Sequence, residues 1–254
     1  MNWKSISLMV ALSAGVVFQA ARAEDSKSPS NPATSRPTSR PAPKPRTPED
    51  AVTPKVHSPN RHPIFLEQIK KGPYDLLFLG DSITDFWPKR GPESWKKFAE
   101  YKPLDLGVSG DRTEHVLWRI NNGELEGLSP KVTVIMIGTN NAGPDKPEWI
   151  AAGVAKIVET VHEKLPNTKV LLLGVFPRAA AKTNNARKAV ADINALISKL
   201  GDDKKTFYLD IGDKFLDEKG ELTKDIMPDY LHPSAKGYDI WYDAMKPKLD
   251  ELMK

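Results

Sequence analysis

The chain has 254 residues, 39% of them hydrophobic and 28% charged, a formal net charge of +4 and no cysteine. The length suits one or two domains. Without thiols the protein has no disulfide, no thiolate zinc site and no cysteine nucleophile.

The amino end is predicted to stand apart from the fold. Lys4 precedes an apolar run from Ile6 to Ala21, which leads into Ala21-Arg22-Ala23. A basic start, a short apolar core and a small-residue site read as a secretory signal peptide over residues 1–23, cut after Ala23. The run falls short of the roughly 20 apolar residues that span a bilayer. The expectation is export to the periplasm or the medium, with no stable membrane insertion of the mature chain.

Residues 24–60 hold nine of the 22 prolines, mixed with Ser, Thr, Arg and Lys. Such a segment buries too little apolar surface to fold and is predicted to be a disordered, extended linker. His57 falls within it. The folded domain is then expected over residues 61–254. That part carries 29 basic and 29 acidic residues. A formally neutral domain gives no electrostatic case for nucleic acid.

From residue 61 onward, short apolar runs alternate with amphipathic stretches. Strands are predicted at Asp75–Leu79, Leu104–Val108, Val132–Ile137, Val170–Phe176 and Thr206–Ile211, nearly continuous in apolar residues and so buried on both faces. Helical faces follow from Val116, Leu117 and Ile120, from the run Ile150 to Leu165, and from the run Ala186 to Leu200. A last helix is predicted from Ser234, a good capping residue. Its stripe is Tyr238, Trp241, Met245 and Leu249, and Pro247 should kink or interrupt it. The alternation predicts an α/β fold: three αβα layers around a doubly wound, five-stranded parallel sheet in a single domain. Sites in such sheets form at the carboxyl ends of strands. Ser82, Gly110 and Asn140 each follow one of the first three strands.

The stretch Gly80-Asp81-Ser82-Ile83-Thr84 ends the first strand. It is an ordinary turn sequence, or else it presents Ser82 as a nucleophile. A serine needs a base, and the base an orienting carboxylate. Of the five histidines, His115 and His162 lie in helical patterns and His62 borders the linker. His232 sits in a loop, three residues after Asp229, close enough for one turn to bring carboxylate to imidazole. Gly110, with no side chain to block its N–H, the amide of Asn140 and the N–H of Ser82 are candidate donors to an oxyanion. Asp81 is assigned to holding the loop. Phe86 and Trp87 flank either substrate or core, and Arg112 and Arg178 are candidates for a substrate anion. No G-x-G-x-x-G, Walker or G-x-S-x-G pattern is present.

The blocks "GDSIT", "GVSGDRTEHVLWR", "GTNN" and "DYLHP" resemble, in order, the four signature blocks of the SGNH hydrolases, the GDSL esterase family. Within it the chain is similar to the platelet-activating-factor acetylhydrolase Ib branch. The resemblance implies a flavodoxin-like fold, a catalytic triad of Ser82, Asp229 and His232, and an oxyanion hole of Ser82, Gly110 and Asn140. It implies a serine esterase for short, chiefly acetyl, esters that uses no metal and no cofactor. A homodimer is implied by the resemblance alone. Export points to O-acetylated carbohydrate as the substrate. A lysophospholipase, a thioesterase and a noncatalytic glycan-binding module are the alternatives.

Overall fold

A computed structural model describes residues 44–254 of the chain. The expected signal peptide and residues 24–43 of the expected linker lie outside the described residues.

The elements, in chain order, begin with α1 (Pro48–Val52), α2 (Arg61–Ile69) and β1 (Leu76–Gly80). Three short helices follow: α3 (Ser82–Asp85), α4 (Trp87–Arg90) and α5 (Pro92–Lys96). Next come β2 (Pro103–Gly107), α6 (Thr113–Asn121), β3 (Val132–Met136), α7 (Pro147–Lys164) and β4 (Lys169–Leu173). The chain continues with α8 (Asn185–Ile197), β5 (Thr206–Leu209) and α9 (Ala235–Met253). The five strands form one sheet in the order β2-β1-β3-β4-β5, and every pairing is parallel. This is the three-layer α/β fold expected from the alternation of elements.

Period-two alternation divides the strands between two cores. Leu77, Leu79, Ile135, Val170 and Leu172 face a layer that includes residues of α2, α6, α7 and α8. Leu76, Phe78, Val134, Leu171 and Leu173 face the layer of α9 and the short helices after β1. All five residues of β1 and all five of β3 are buried, which is why these runs lack the alternating polar positions of a one-sided strand; the one polar side chain, Thr133, is bonded to the Thr168 hydroxyl at 3.2 Å. Each large apolar side chain sealed in this way contributes about 1.5–3 kcal/mol relative to exposure.

Two strands stop two or more residues short of their predicted ends. β4 stops at Leu173 because the Val175 N–H turns to the Asn194 side chain, at 2.8 Å. β5 stops at Leu209 because Asp210 accepts the Gly212 N–H through Oδ1 at 2.8 Å, which bends the chain. Ser234 caps α9 as expected, its Oγ accepting the Gly237 N–H at 3.2 Å. The expected interruption at Pro247 does not occur: α9 continues through it to Met253. The buried stripe of Tyr238, Trp241, Met245 and Leu249 holds the helix on the sheet against the missing N–H.

The linker expectation fails over residues 44–60. Ala51 of α1 is fully buried, and its carbonyl accepts the Thr113 hydroxyl at 2.8 Å. A Cβ on Gly153 would lie 2.7 Å from that carbonyl, so only glycine lets α1 sit so close to α7. The Lys55 N–H donates to the Glu114 carbonyl at 3.0 Å. The folded unit therefore begins at Lys44, not at residue 61. Proline-rich composition predicted no regular structure here, yet α1 forms at Pro48–Val52 and a few tertiary contacts anchor the segment. Among the described residues no helix is long and apolar enough to cross a membrane.

Candidate active site

Register sets the level of the site. Gly80 pairs with Gly107 and with Met136, so the loops after β1, β2 and β3 leave the sheet side by side. A Cβ on Gly107 would lie 2.4 Å from the Asp85 backbone nitrogen; the glycine lets α3 sit across the end of β2. Asp81 caps α3, its Oδ1 accepting the Ile83 N–H at 2.9 Å. Ser82 is the first residue of that helix and is buried. Its own N–H therefore has no intrahelical acceptor.

The Ser82 Oγ lies 2.9 Å from Nε2 of His232. The other imidazole nitrogen, Nδ1, lies 2.6 Å from Oδ2 of Asp229. Oδ1 of Asp229 accepts the backbone N–H groups of His232 at 2.8 Å and Leu231 at 3.1 Å. The turn from Asp229 to His232 closes through Tyr230 at φ 58°, and the Tyr230 carbonyl is held by the Ala179 N–H at 2.9 Å. Partial burial pushes the Asp229 carboxyl up. Hydrogen bonds from the His232 N–H, its imidazole and the Leu231 N–H outweigh this and leave the pKa below the usual carboxylate value. A carboxylate so held fixes Nδ1 as the protonated nitrogen and leaves Nε2 free to accept the serine proton.

Gly110 and Asn140 stand on the neighbouring loops. Gly110 has φ 83°, a left-handed conformation that suits glycine, and its N–H has no backbone acceptor among the described residues. Asn140 donates through Nδ2 to the Asp111 carbonyl at 2.9 Å, which leaves one amide hydrogen of Asn140 for another acceptor. The two arginines considered for a substrate anion both bond to this loop. Arg112 Nε donates to the Asn140 carbonyl at 3.1 Å. Arg178 Nη1 donates to the Thr139 carbonyl at 2.7 Å. Trp87 belongs to the core, fully buried among Phe78, Phe98 and Trp241. Phe86 instead meets the His232 ring, with centroids 5.3 Å apart.

Asp81 is fully buried, and its Oδ2 has no hydrogen-bond partner among the described residues. Desolvation, with the nearby Asp111 charge added, pushes its pKa up to about 7 against the opposing Ile83 N–H and Arg178.

Sequence reasoning missed Arg46, His57 and Asn141. Arg46 and His57 looked like linker, and nothing local marks them. Asn141 adjoins the noted Asn140, yet only the fold shows it fully buried and bonded to Asp145 at 2.7 Å. His57, Asp111 and His115 bring potential metal ligands within 4.8 Å of one another. The two imidazoles, however, stack with centroids 4.5 Å and planes 18° apart, so their in-plane lone pairs run alongside each other rather than converge. The Asp111 carboxylate is already bonded to His57 at 2.8 Å and to Arg119 Nε at 2.8 Å. His115 Nδ1 accepts the Arg112 N–H at 3.0 Å. These residues fit a hydrogen-bonded support and not a metal centre.

Residues 78–240 match the model of the GDSL-like lipase/acylhydrolase family. The chain is 35% identical over 179 residues to the platelet-activating factor acetylhydrolase IB subunit alpha1 of Homo sapiens, which covers 70% of this chain and 76% of that one. Among solved structures, a GDSL-like lipase from Bacteroides thetaiotaomicron superposes with a TM-score of 0.63 at 22% identity, over 75% of this chain and 97% of the other. An acetylxylan esterase from Geobacillus stearothermophilus superposes with a TM-score of 0.57 at 18% identity, over 70% and 93%.

Proposed function

The chain belongs to the GDSL-like lipase/acylhydrolase family, and from that premise we propose that it is a serine esterase that releases short acyl groups, acetyl above all, through an acyl-enzyme. The observation that carries this reading is the bonded series Ser82 Oγ, His232, Asp229, with 2.9 Å and 2.6 Å links. Ser82 attacks the ester carbonyl while Nε2 of His232 takes its proton. The tetrahedral oxyanion is met by the N–H groups of Ser82 and Gly110 and by the free amide hydrogen of Asn140. His232 then returns the proton to the leaving alcohol. Water, activated by the same imidazole, clears the acyl group from Ser82. Each role is filled by a side chain or backbone group, so turnover is expected to survive prolonged chelator treatment.

The substrate class we propose is O-acetylated carbohydrate outside the cell. The signal-like amino end of the sequence and the acetylxylan esterase among the structural neighbours support it. A p-nitrophenyl ester series from acetate to palmitate, followed by acetate release from acetylated xylan, tests the reading. Rates should fall steeply beyond short acyl chains. A preference for long chains would move the assignment to a lysophospholipase or thioesterase. Ser82→Ala should lower turnover at least about 10³-fold, and a phosphonate should label Ser82 in the wild-type chain. Turnover within tenfold of wild type in folded Ser82→Ala would remove Ser82 as the nucleophile.

A further inference from the structure

Residues 44–60 reach the loops that carry Gly110 and Asn140, and they do so through charged groups. The Arg46 guanidinium, only 15% exposed, holds both oxygens of the fully buried Asp145 carboxylate, through Nε and, at 2.9 Å, through Nη2. The same Nη2 meets Oε1 of the fully buried Glu114 at 2.8 Å. Asp145 and Glu114 share one further partner. Nδ2 of Asn141 lies 2.7 Å from Asp145 Oδ2 and 3.2 Å from Glu114 Oε2. Two buried carboxylates thus converge on one amide, and Arg46 is the cation between them. Apart from Arg46, the described residues near Glu114 offer Arg112 at 4.0 Å and His115 at 3.9 Å, and offer no cation to Asp145.

Asn141 is peptide-bonded to Asn140. Its N–H donates to the Gly138 carbonyl at 3.1 Å and its own carbonyl accepts the Asp145 N–H at 3.0 Å. The loop 138–145 is therefore a closed unit whose anionic end needs Arg46. At the other end of the same segment, the His57 ring lies over Gly110. A Cβ on Gly110 would be 3.2 Å from its Cε1. Nδ1 of His57 donates to Asp111, whose carbonyl accepts the Asn140 amide.

We propose that residues 44–60 are a positioning strap for the oxyanion hole, in which Arg46 sets Asn140 through the Asp145–Asn141–Glu114 cluster and His57 sets Gly110 through Asp111. The proposal rests on the esterase reading above. Without Arg46, two buried carboxylates face each other uncompensated. They separate or take up a proton, and either change moves Asn141 and with it Asn140. Oxyanion donors act only when they are aimed in advance, and a shift on the order of 1 Å in a positioned group costs roughly 10²-fold in rate. The Ser82–His232–Asp229 series does not touch the strap residues. Binding of the ester should therefore change little while the chemical step slows.

The test uses the full chain with Arg46→Met, Arg46→Lys, His57→Ala and His57→Gln, assayed on p-nitrophenyl acetate well below each melting temperature. Arg46→Met is expected to lose about 10²-fold in kcat with KM within about threefold. Affinity for an alkyl trifluoromethyl ketone, whose adduct carries the oxyanion, should fall in parallel. Arg46→Lys should recover part of both losses. His57→Ala, at a half-buried ring, should fold and lose about tenfold in kcat, and His57→Gln, which can still donate to Asp111, should recover it. If Arg46→Met does not fold, the His57 pair decides. Unchanged kcat and ketone affinity in folded Arg46→Met, or in both His57 variants, overturns the strap while leaving the esterase intact. A wild-type chain inactive on every ester of the series overturns both.

Discussion

The Asp229 carboxylate accepts three hydrogen bonds from its own turn, so its function at the imidazole can be separated from its charge. Asp229→Asn keeps an oxygen for the backbone N–H groups but presents the imidazole with a donor or a weaker acceptor. The expected loss in kcat is as much as ~10⁴-fold, with the wrong tautomer at His232 as the cause. Steady-state kinetics on a short ester measure it, and a loss below tenfold would assign the orienting role elsewhere. Asp81 leads to a different expectation. Its pKa rises from the ordinary 3.8 to about 7, so between those values the native chain holds a proton that the unfolded chain has released. Native stability then declines as pH rises through that window. Asp81→Asn retains the acceptor for Ile83 and removes the titration. Urea unfolding should find the variant and wild type alike near pH 4, and the variant more stable at pH 8. Equal pH slopes for the two would show that Asp81 does not carry the buried proton.

Among the elements, α9 is where local propensity and tertiary packing disagree most. Pro247 is exposed yet sits inside an unbroken helix, where it removes one backbone hydrogen bond. Pro247→Ala should raise stability by about 1–3 kcal/mol, read as a shift in the urea midpoint at unchanged slope; a destabilised variant would mean that proline's stiffening of the unfolded chain dominates. The strands were legible because burial on both faces demands nearly continuous apolar runs, as Leu76 to Leu79 and, with Thr133 the one polar residue, Val132 to Met136 show. Their ends were less so. Val170 to Phe176 reads as one strand, but pairing ceases where the Asn194 side chain captures a backbone N–H from across the fold. Of the candidate site, Ser82, Asp229 and His232, which the fold brings into hydrogen-bond reach of one another, and the proposed donors Gly110 and Asn140 could be named from sequence, because each lies in a short block with its own turn chemistry. The contacts of Arg112, Arg178 and Trp87 could not, since a guanidinium or an indole looks the same in sequence whether it meets a loop carbonyl, the core or solvent.

For the molecule as a whole, the N-terminal boundary of the fold carries the consequence. A chain beginning at Lys44 keeps every contact named above and is the reference. A chain beginning at Arg61 loses Arg46, the buried Ala51 and the His57–Asp111 bond. Breaking a buried ion pair alone costs about 3–5 kcal/mol, so melting should fall by on the order of 10 °C or more. Calorimetry of the two truncations distinguishes them, and equal melting temperatures would return residues 44–60 to the status of a tether.

The sequence by itself determined the parallel αβα architecture and which residues stand as candidates at the strand ends, because both are written in local terms: apolar runs, helical spacing, and a serine, a glycine, an asparagine and an Asp-x-x-His turn in contiguous blocks. Only the tertiary structure decided that the proline-rich approach to the domain is part of it. Arg46 and Asp145 are 99 positions apart in the chain, and His57 and Asp111 are 54 apart. Composition and periodicity sense neighbours a few residues away. A buried carboxylate answered by a distant arginine depends on desolvation, which exists only once the chain has folded around both.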